Sequence, residues 1–93
     1  MVITYLGHKF KVINSGFSSY ETLFLDNDIE FLDDLAKDIQ FVLNNDITTI
    51  KNYREKWVTD ATLDGKALIN CMPIRVNNNQ VFFAYDRMGE VKC

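Results

Sequence analysis

The sequence contains few of the residues that most often build catalytic or metal sites. It has one histidine, His8, and two cysteines, Cys71 and Cys93, without a CxxC spacing. Structural zinc sites use several closely spaced Cys and His ligands, so none is expected here, and two distant cysteines do not indicate a disulfide framework. Cys71 lies in an apolar run, which predicts a buried thiol, and Cys93 is predicted to be a free one. Both suit a reducing cytoplasm.

Proline and glycine are scarce as well, with one and four residues. No low-complexity tract, internal repeat or flexible linker divides the 93 residues, of which 47% are hydrophobic. A chain of this length has room for one core, so residues 1–93 are predicted to form a single domain. No run approaches the ~20 apolar residues of a membrane span, and the first residues do not resemble a signal peptide. The expected location is therefore the cytoplasm.

Recognisable catalytic and nucleotide-binding motifs are absent too. The sequence has no phosphate-binding glycine loop, dinucleotide fingerprint, nucleophile elbow or EF-hand. The adjacent carboxylates Asp33 and Asp34 would point about 100° apart on a helix. His8 has no second histidine to work with, and Cys71 lies far from it along the chain. We therefore predict that the protein is not an enzyme and has no catalytic residue, cofactor or metal ion.

The sequence does contain β-prone runs at both ends. Val2–Leu6 and Lys9–Ile13 flank Gly7-His8, which suits a two-residue type II′ hairpin turn with an exposed His8. The predicted cross-strand pairs on the apolar face are Tyr5 with Phe10 and Ile3 with Val12. Later strands are predicted at Tyr20–Leu25, Ala67–Val76 and Gln80–Tyr85, with a turn at 77–79. Because Pro73 cannot donate to a sheet, it marks an edge or a bulge.

Two helices are predicted between these strands. The clearer one covers Asp28–Asn44, because its apolar residues recur at the spacing of an α-helix. Asn27 is its predicted N-cap, and Glu30 completes a capping box. The second helix is expected from Ile47 to about Val58. The element order is then β-β-β-α-α-β-β, which predicts an α+β two-layer sandwich: an antiparallel sheet with both central helices packed on one face.

Negative charge is concentrated in one part of the chain. The net charge is −3, from ten basic and thirteen acidic residues, so direct nucleic-acid binding is not expected. Between Glu21 and Asp46, however, eight acidic residues accompany one lysine, a net −7, whereas the rest of the chain carries +4. The helix dipole accounts for the acids near the helix N-terminus. It accounts less well for Asp33, Asp34 and Asp38, because like charges four residues apart are mildly destabilising.

Phe41 is the second unusual feature of this segment. On a helical wheel it falls near Glu30, Asp34 and Lys37, outside the apolar sector. An aromatic residue among carboxylates can anchor a basic protein surface, or it can be covered by another part of the fold. The predicted partner-binding residues are Glu21, Asp26, Asp28, Glu30, Asp33, Asp34, Asp38, Phe41 and Asp46.

The charge of this segment is comparable with that of one DNA strand. A helix of about 17 residues is about 25 Å long. A DNA duplex of that length carries about 15 phosphate charges, or about 7 per strand. A two-fold symmetric homodimer would bring two such helices together and approach the charge of the duplex.

The small size, the nine asparagines and the acid run from Asp26 to Asp34 resemble one class of phage protein. These are the small acidic proteins that block host restriction or other DNA-targeting defence enzymes by imitating DNA. The resemblance implies a phage-encoded inhibitor that acts in the host cytoplasm and occupies the nucleic-acid-binding site of a basic protein. Two alternatives stay open. One is an immunity protein or antitoxin that neutralises a nuclease toxin, and the other is a small structural or assembly protein whose acidic face is only solvated.

Overall fold

The computed structural model describes residues 1–85, apart from the side chains of Ile47 and Thr49. Cys93, predicted to be a free thiol, lies outside the described residues. Six strands and two helices are present in the part of the chain that is described. They are β1 (Val2–Tyr5), β2 (His8–Ser15), β3 (Ser19–Phe24), α1 (Ile29–Leu43), α2 (Ile47–Trp57), β4 (Thr59–Leu63), β5 (Lys66–Asn77) and β6 (Gln80–Ala84).

The six strands form a closed antiparallel barrel in the order β1-β2-β3-β6-β5-β4. It consists of two three-stranded meanders, β1-β2-β3 and β4-β5-β6, which meet along two seams. Thr4 pairs with Thr62 at one seam, and Thr22 pairs with Val81 at the other. Because each strand has a neighbour on both sides, the barrel leaves no open sheet edge in the described part of the chain.

The predicted two-layer sandwich is wrong, because the sheet is closed and not open. The prediction overlooked β4, which has five residues, follows α2 directly and ends at the Asp64-Gly65 turn. β4 pairs with β1 through Ile3 and Leu63, and this pairing joins the start of the chain to the second meander. A strand this short shows little periodicity of its own. Its existence is decided by a partner strand that is distant in the sequence.

The first hairpin turns one residue earlier than predicted. Leu6 and Gly7 form a two-residue turn with φ of 50° and 80°, and His8 is the first residue of β2. Positive φ at both central positions is typical of a type I′ turn, not the predicted II′. The register therefore differs by two residues, and Ile3 lies opposite Phe10. The predicted apolar face is kept, because a shift of two preserves the side-chain alternation.

The remaining predicted elements are confirmed, with small changes at their ends. α1 begins after Asp28 and not after Asn27: the Asp28 carboxylate accepts the amide N–H of Phe31 at 3.0 Å and so provides the N-cap. α2 begins as predicted and ends at Trp57. Pro73 lies at a bulge between β5 and β6, one of the two positions predicted for it.

Aromatic and branched side chains fill the barrel. The rings of Tyr5, Phe10 and Phe83 are fully buried. The Phe83 ring centroid lies 5.0 Å from that of Tyr5 and 4.9 Å from that of Phe10. Thr22 is also buried, and its hydroxyl donates to the carbonyl of Val81 at 2.8 Å. These contacts join residues of both meanders in one core.

The two helices connect β3 to β4 and pack against β5 instead of covering an open sheet. Leu32, Leu35 and Ile39 form the buried side of α1. Two tyrosine hydroxyls hold α2: Tyr53 donates to the carbonyl of Pro73 on β5, and Tyr5 donates to the carbonyl of Trp57. Neither helix within residues 1–85 has the length and apolar character needed to cross a membrane.

Replacing Phe83 with Ala should destabilise the fold by about 3–5 kcal/mol, because truncating a buried Phe loses its transfer free energy and leaves a cavity. Urea titration measures the free energy of unfolding. Phe17→Ala is the control. Phe17 is 79% exposed, and its replacement should change the free energy of unfolding by less than about 0.5 kcal/mol. Equal losses in the two variants would contradict the assignment of the barrel interior as the core.

Alkaline pH should destabilise the fold through the thiol of Cys71. Burial raises the pKa of this thiol to about 12, whereas a cysteine in an unfolded chain titrates near about 8.5. Between these values the unfolded state binds fewer protons than the folded state. The free energy of unfolding therefore falls as the pH rises above about 8.5, by up to about 1.4 kcal/mol per pH unit.

Urea titrations from about pH 7 to about pH 9.5 measure this slope. Cys71→Ala should flatten it, because no thiol remains at this position, even if the variant is less stable at every pH. Tyr5 and Tyr53 contribute little in this range, because unfolded tyrosines titrate near about 10 and burial raises the pKa of both in the fold. Identical slopes for the two proteins would contradict the buried state of the thiol.

Candidate functional site

The exposed side of α1 carries four carboxylates, which together form what we call the acidic face: Glu30, Asp33, Asp34 and Asp38. Their spacing of three and four residues places them on the side of the helix away from its buried apolar residues. Glu30 and Asp33 are exposed, and the Asp34 side chain is 56% exposed. The fold therefore brings four of the eight predicted acids together on one surface.

Asp38 differs from the other three carboxylates because it is bonded to the second helix. Its Oδ2 accepts from the indole Nε1 of Trp57 at 2.6 Å and from Nζ of Lys56 at 2.9 Å. Trp57 is only 4% exposed, and a buried indole N–H needs an acceptor. Asp38 therefore joins α1 to α2, in addition to any contact that it makes with a partner.

Lys56 neutralises part of the acidic face. Its Nζ lies 3.3 Å from Asp34 Oδ2 and 4.7 Å from the centre of the Trp57 ring. The hydrogen bond to Asp38 is the largest cause that raises the pKa of Lys56; burial lowers it, and the bond to Asp34 raises it further. The Lys56 side chain is 53% exposed. Exposed ion pairs of this kind contribute about 0–1 kcal/mol, so Lys56 can leave its carboxylates at little cost.

Phe41 lies at the C-terminal end of the acidic face and is 60% exposed. Within residues 1–85, no other element covers it. A cavity of about 200 Å³ opens beside it, between α1 and α2. Asp38 and Val42 line this cavity from α1, and Tyr53 and Lys56 line it from α2. Phe41 and the acidic face therefore border a concave surface with both apolar and charged walls.

His8 forms a second cluster with the acids that connect β3 to α1. Its prediction as an exposed turn residue is wrong: the side chain is 20% exposed, and its ring stacks on Phe31 with centroids 4.1 Å apart. Nδ1 of His8 lies 2.8 Å from Asp26 Oδ2, and Nε2 lies 3.7 Å from Asp28 Oδ2. Asp26 also accepts the backbone N–H of Lys9. Asp26 and Asp28 therefore have structural partners at the start of α1.

Glu21 and Asp46 are not part of the acidic face. Glu21 lies on β3 opposite Asn14, is half-buried, and points away from the side of the strand that buries Thr22. Asp46 lies just before α2, and its backbone carbonyl accepts the N–H of Ile50 at 3.2 Å. The fold thus distributes the predicted acids over several places, and the charge of the whole segment does not act as one surface.

The sequence indicated the acids but not the residues that bind them. Trp57 offered one signal, because an indole N–H that is buried in a small core needs a nearby acceptor. No sequence pattern indicated the role of Lys56, because the carboxylates that it binds lie 22 and 18 positions earlier, on another helix. The role of His8 depended on the position of the first turn, which the sequence predicted one residue too late.

Comparisons with protein-family models, curated proteins and solved structures gave no match. Among the described residues, no group of three or more His, Cys, Asp or Glu side chains could hold a metal ion. The acidic face, Phe41 and the adjoining cavity are the candidate binding surface. The interactions that they offer are charge pairing, hydrogen bonding and aromatic contact.

Asp38→Ala should destabilise the protein by about 1–3 kcal/mol, because the indole N–H of Trp57 loses its acceptor. Asp33→Ala is the matched control on the same helix. Asp33 is exposed, so its removal should change the free energy of unfolding by less than about 0.5 kcal/mol. Urea unfolding followed by the fluorescence of Trp57, the single tryptophan, measures both variants. Equal effects would contradict the structural role of Asp38.

Proposed function

We propose that this protein is a non-enzymatic inhibitor that binds a basic protein through the acidic face. In this proposal the face imitates a DNA strand and occupies the nucleic-acid-binding site of a host restriction or defence enzyme in the cytoplasm. The observation that carries the proposal is the alignment of four carboxylates on the exposed side of one helix, next to the 60% exposed Phe41.

The spacing of the carboxylates supports imitation of a DNA strand. Glu30 and Asp38 are eight positions apart, which corresponds to about 12 Å along a helix. The gaps between the four residues are three, one and four positions, so their mean separation along the axis is about 4 Å. This mean is close to the ~3.4 Å per phosphate of one DNA strand. Because a folded helix holds these charges in place, binding does not have to order a flexible acidic segment.

The acidic face corresponds to a short stretch of DNA. Asp26 and Asp28 are directed to His8, so four carboxylates remain on α1. Lys37 is exposed among them and Lys56 binds two of them, so their net charge of −2 matches about two phosphates of one strand. Phe41 lies at the edge of the face and would act as an aromatic anchor. Its contact would add binding affinity to that of the few charges. A partner arginine can replace Lys56 at Asp38, because exposed ion pairs are weak and a guanidinium binds carboxylates in a bidentate manner. A two-fold dimer with adjacent acidic faces would extend the imitation to a duplex.

The double variant Glu30→Gln/Asp33→Asn tests the acidic face without disturbing the bonds of Asp38. We expect it to capture at least about tenfold less of a nucleic-acid-binding partner at low salt, because two exposed charges are lost. The measurement is affinity capture from a bacterial lysate, with duplex DNA as competitor. Capture by the wild type should fall between about 50 mM and about 500 mM NaCl, because salt screens exposed charges.

Glu55→Gln is the matched control, since Glu55 is an exposed acid on α2 and lies outside the acidic face. It should leave capture unchanged. Equal capture by the wild type and the double variant would eliminate the acidic face as the binding surface. A captured host DNA-targeting enzyme would support DNA mimicry, whereas a nuclease toxin encoded beside this chain would identify an immunity protein. A structural or assembly protein would show no salt-sensitive partner.

A further inference from the structure

The hairpin between β4 and β5 turns at Asp64 and Gly65, the single place in the sequence where an aspartate precedes a glycine. Leu63 pairs with Lys66, so these two residues make up the whole turn. Their φ angles of 49° and 86° are typical of a type I′ turn, in which this dipeptide is common. Both residues are exposed, and a Cβ placed on Gly65 would meet no atom within 4 Å. The turn is therefore open to solvent and sterically uncrowded beside Gly65.

Asp64 also holds one end of the seam between β1 and β4. Its Oδ1 accepts the backbone N–H of Val2 at 2.8 Å, and its own backbone N–H donates to the Val2 carbonyl at 2.9 Å. The register of this seam otherwise consists of two residue pairs, whereas the seam between β3 and β6 has five. A change in the backbone at Asp64 therefore acts on the shorter of the two seams that close the barrel.

An aspartate that precedes a glycine can react with its own backbone. The Gly65 nitrogen attacks Cγ of the protonated Asp64 carboxyl group, an N–Cγ bond forms, and one water molecule leaves. The cyclic imide then adds one water molecule, and the bond between the Gly65 nitrogen and the main-chain carbonyl carbon of Asp64 breaks. The product is isoaspartate, whose backbone passes through Cγ and is longer by one methylene group. The mass is unchanged, and no oxidant, reductant or further reactant takes part.

The bond to Val2 opposes this reaction in the folded protein. It is a charge-assisted hydrogen bond that directs the Asp64 carboxylate to the neighbouring strand. Ring closure requires the side chain to turn toward the Gly65 nitrogen instead, so the bond has to break first. β1 has only four residues, and short segments with few bonds open locally at a smaller free energy than the whole fold.

We propose that Asp64 is a site of spontaneous isoaspartate formation, that the reaction occurs when β1 separates from β4, and that its product weakens the closure of the barrel. The added methylene group lengthens a turn that the register of Leu63 with Lys66 limits to two residues. The product therefore loses the two hydrogen bonds that join Asp64 to Val2. The modification and the acidic face are independent, because the turn and α1 share no residue.

Val2→Pro tests the protection of Asp64. Proline has no N–H, and a sheet accepts it as the first residue of a strand. Isoaspartate should form at position 64 about fivefold faster in this variant, because one hydrogen bond typically changes an opening equilibrium by about this factor. The full chain is incubated at mildly acidic pH, and an isoaspartate methyltransferase with peptide mapping measures and locates the product. Gly65→Asn should suppress the product at position 64, because a side chain hinders the attack while asparagine tolerates positive φ.

Thr22→Val is the matched control, since it removes one hydrogen bond at the opposite seam, between the Thr22 hydroxyl and the Val81 carbonyl. It should leave the rate at position 64 unchanged, and circular dichroism checks that both variants fold. Equal acceleration in Val2→Pro and Thr22→Val would overturn the proposal, because the reaction would then follow unfolding of the whole chain. The same conclusion would follow if the wild type reacted equally fast in buffer and in a concentration of urea that unfolds it.

The effect on the barrel is measured on the wild type alone. Amide hydrogen exchange compares the purified isoaspartate product with the unmodified chain. The amide of Val2 should exchange at least about fivefold faster in the product, because its acceptor is lost. The amides that pair β3 with β6 should exchange at their original rates. Unchanged exchange at Val2, or the absence of isoaspartate at position 64 in the wild type and in Val2→Pro, would also overturn the proposal.

Discussion

Pairing of β1 with β4 closes the barrel, and the positions of the other elements follow from it. β1 lies at the start of the chain and β4 follows α2, so their pairing joins two separate meanders into one sheet. It also brings Tyr5 to the end of α2, where its hydroxyl donates to the carbonyl of Trp57. Because β3 and β4 are not neighbours in the barrel, the helices that connect them must cross it, and they pack against β5.

Asp38 connects this core to the candidate binding surface. Trp57 belongs to the hydrophobic core, yet its indole N–H reaches the Asp38 carboxylate on the outer part of α1. The acidic face is therefore anchored at one end, where a buried side chain holds the Asp38 carboxylate in place. A carboxylate on a helix surface can thus serve as the acceptor for a buried donor. The number of acids in a segment consequently overstates the charge that is available to a partner.

The sequence was most informative about features that depend on a few neighbouring residues. The period of the apolar residues predicted both helices, and the helical wheel placed Phe41 among the carboxylates, where it is exposed. The first turn was predicted one residue late because a type I′ turn requires positive φ at Leu6, which a leucine rarely adopts. β4 was missed because five residues show little periodicity, and its pairing with β1 is not visible in local sequence.

By itself, the sequence determined which residues alternate along the strands, which side of α1 is apolar and where the acids are concentrated, because each of these depends on short-range periodicity. Only the tertiary structure decided that the sheet closes, that Asp38 binds Trp57 and that Asp26 binds His8. These pairs are distant in the chain, and local patterns do not specify which distant residues meet. The acidic face is therefore smaller than the acidic segment, because the fold decides which carboxylates receive structural partners and which remain exposed on α1.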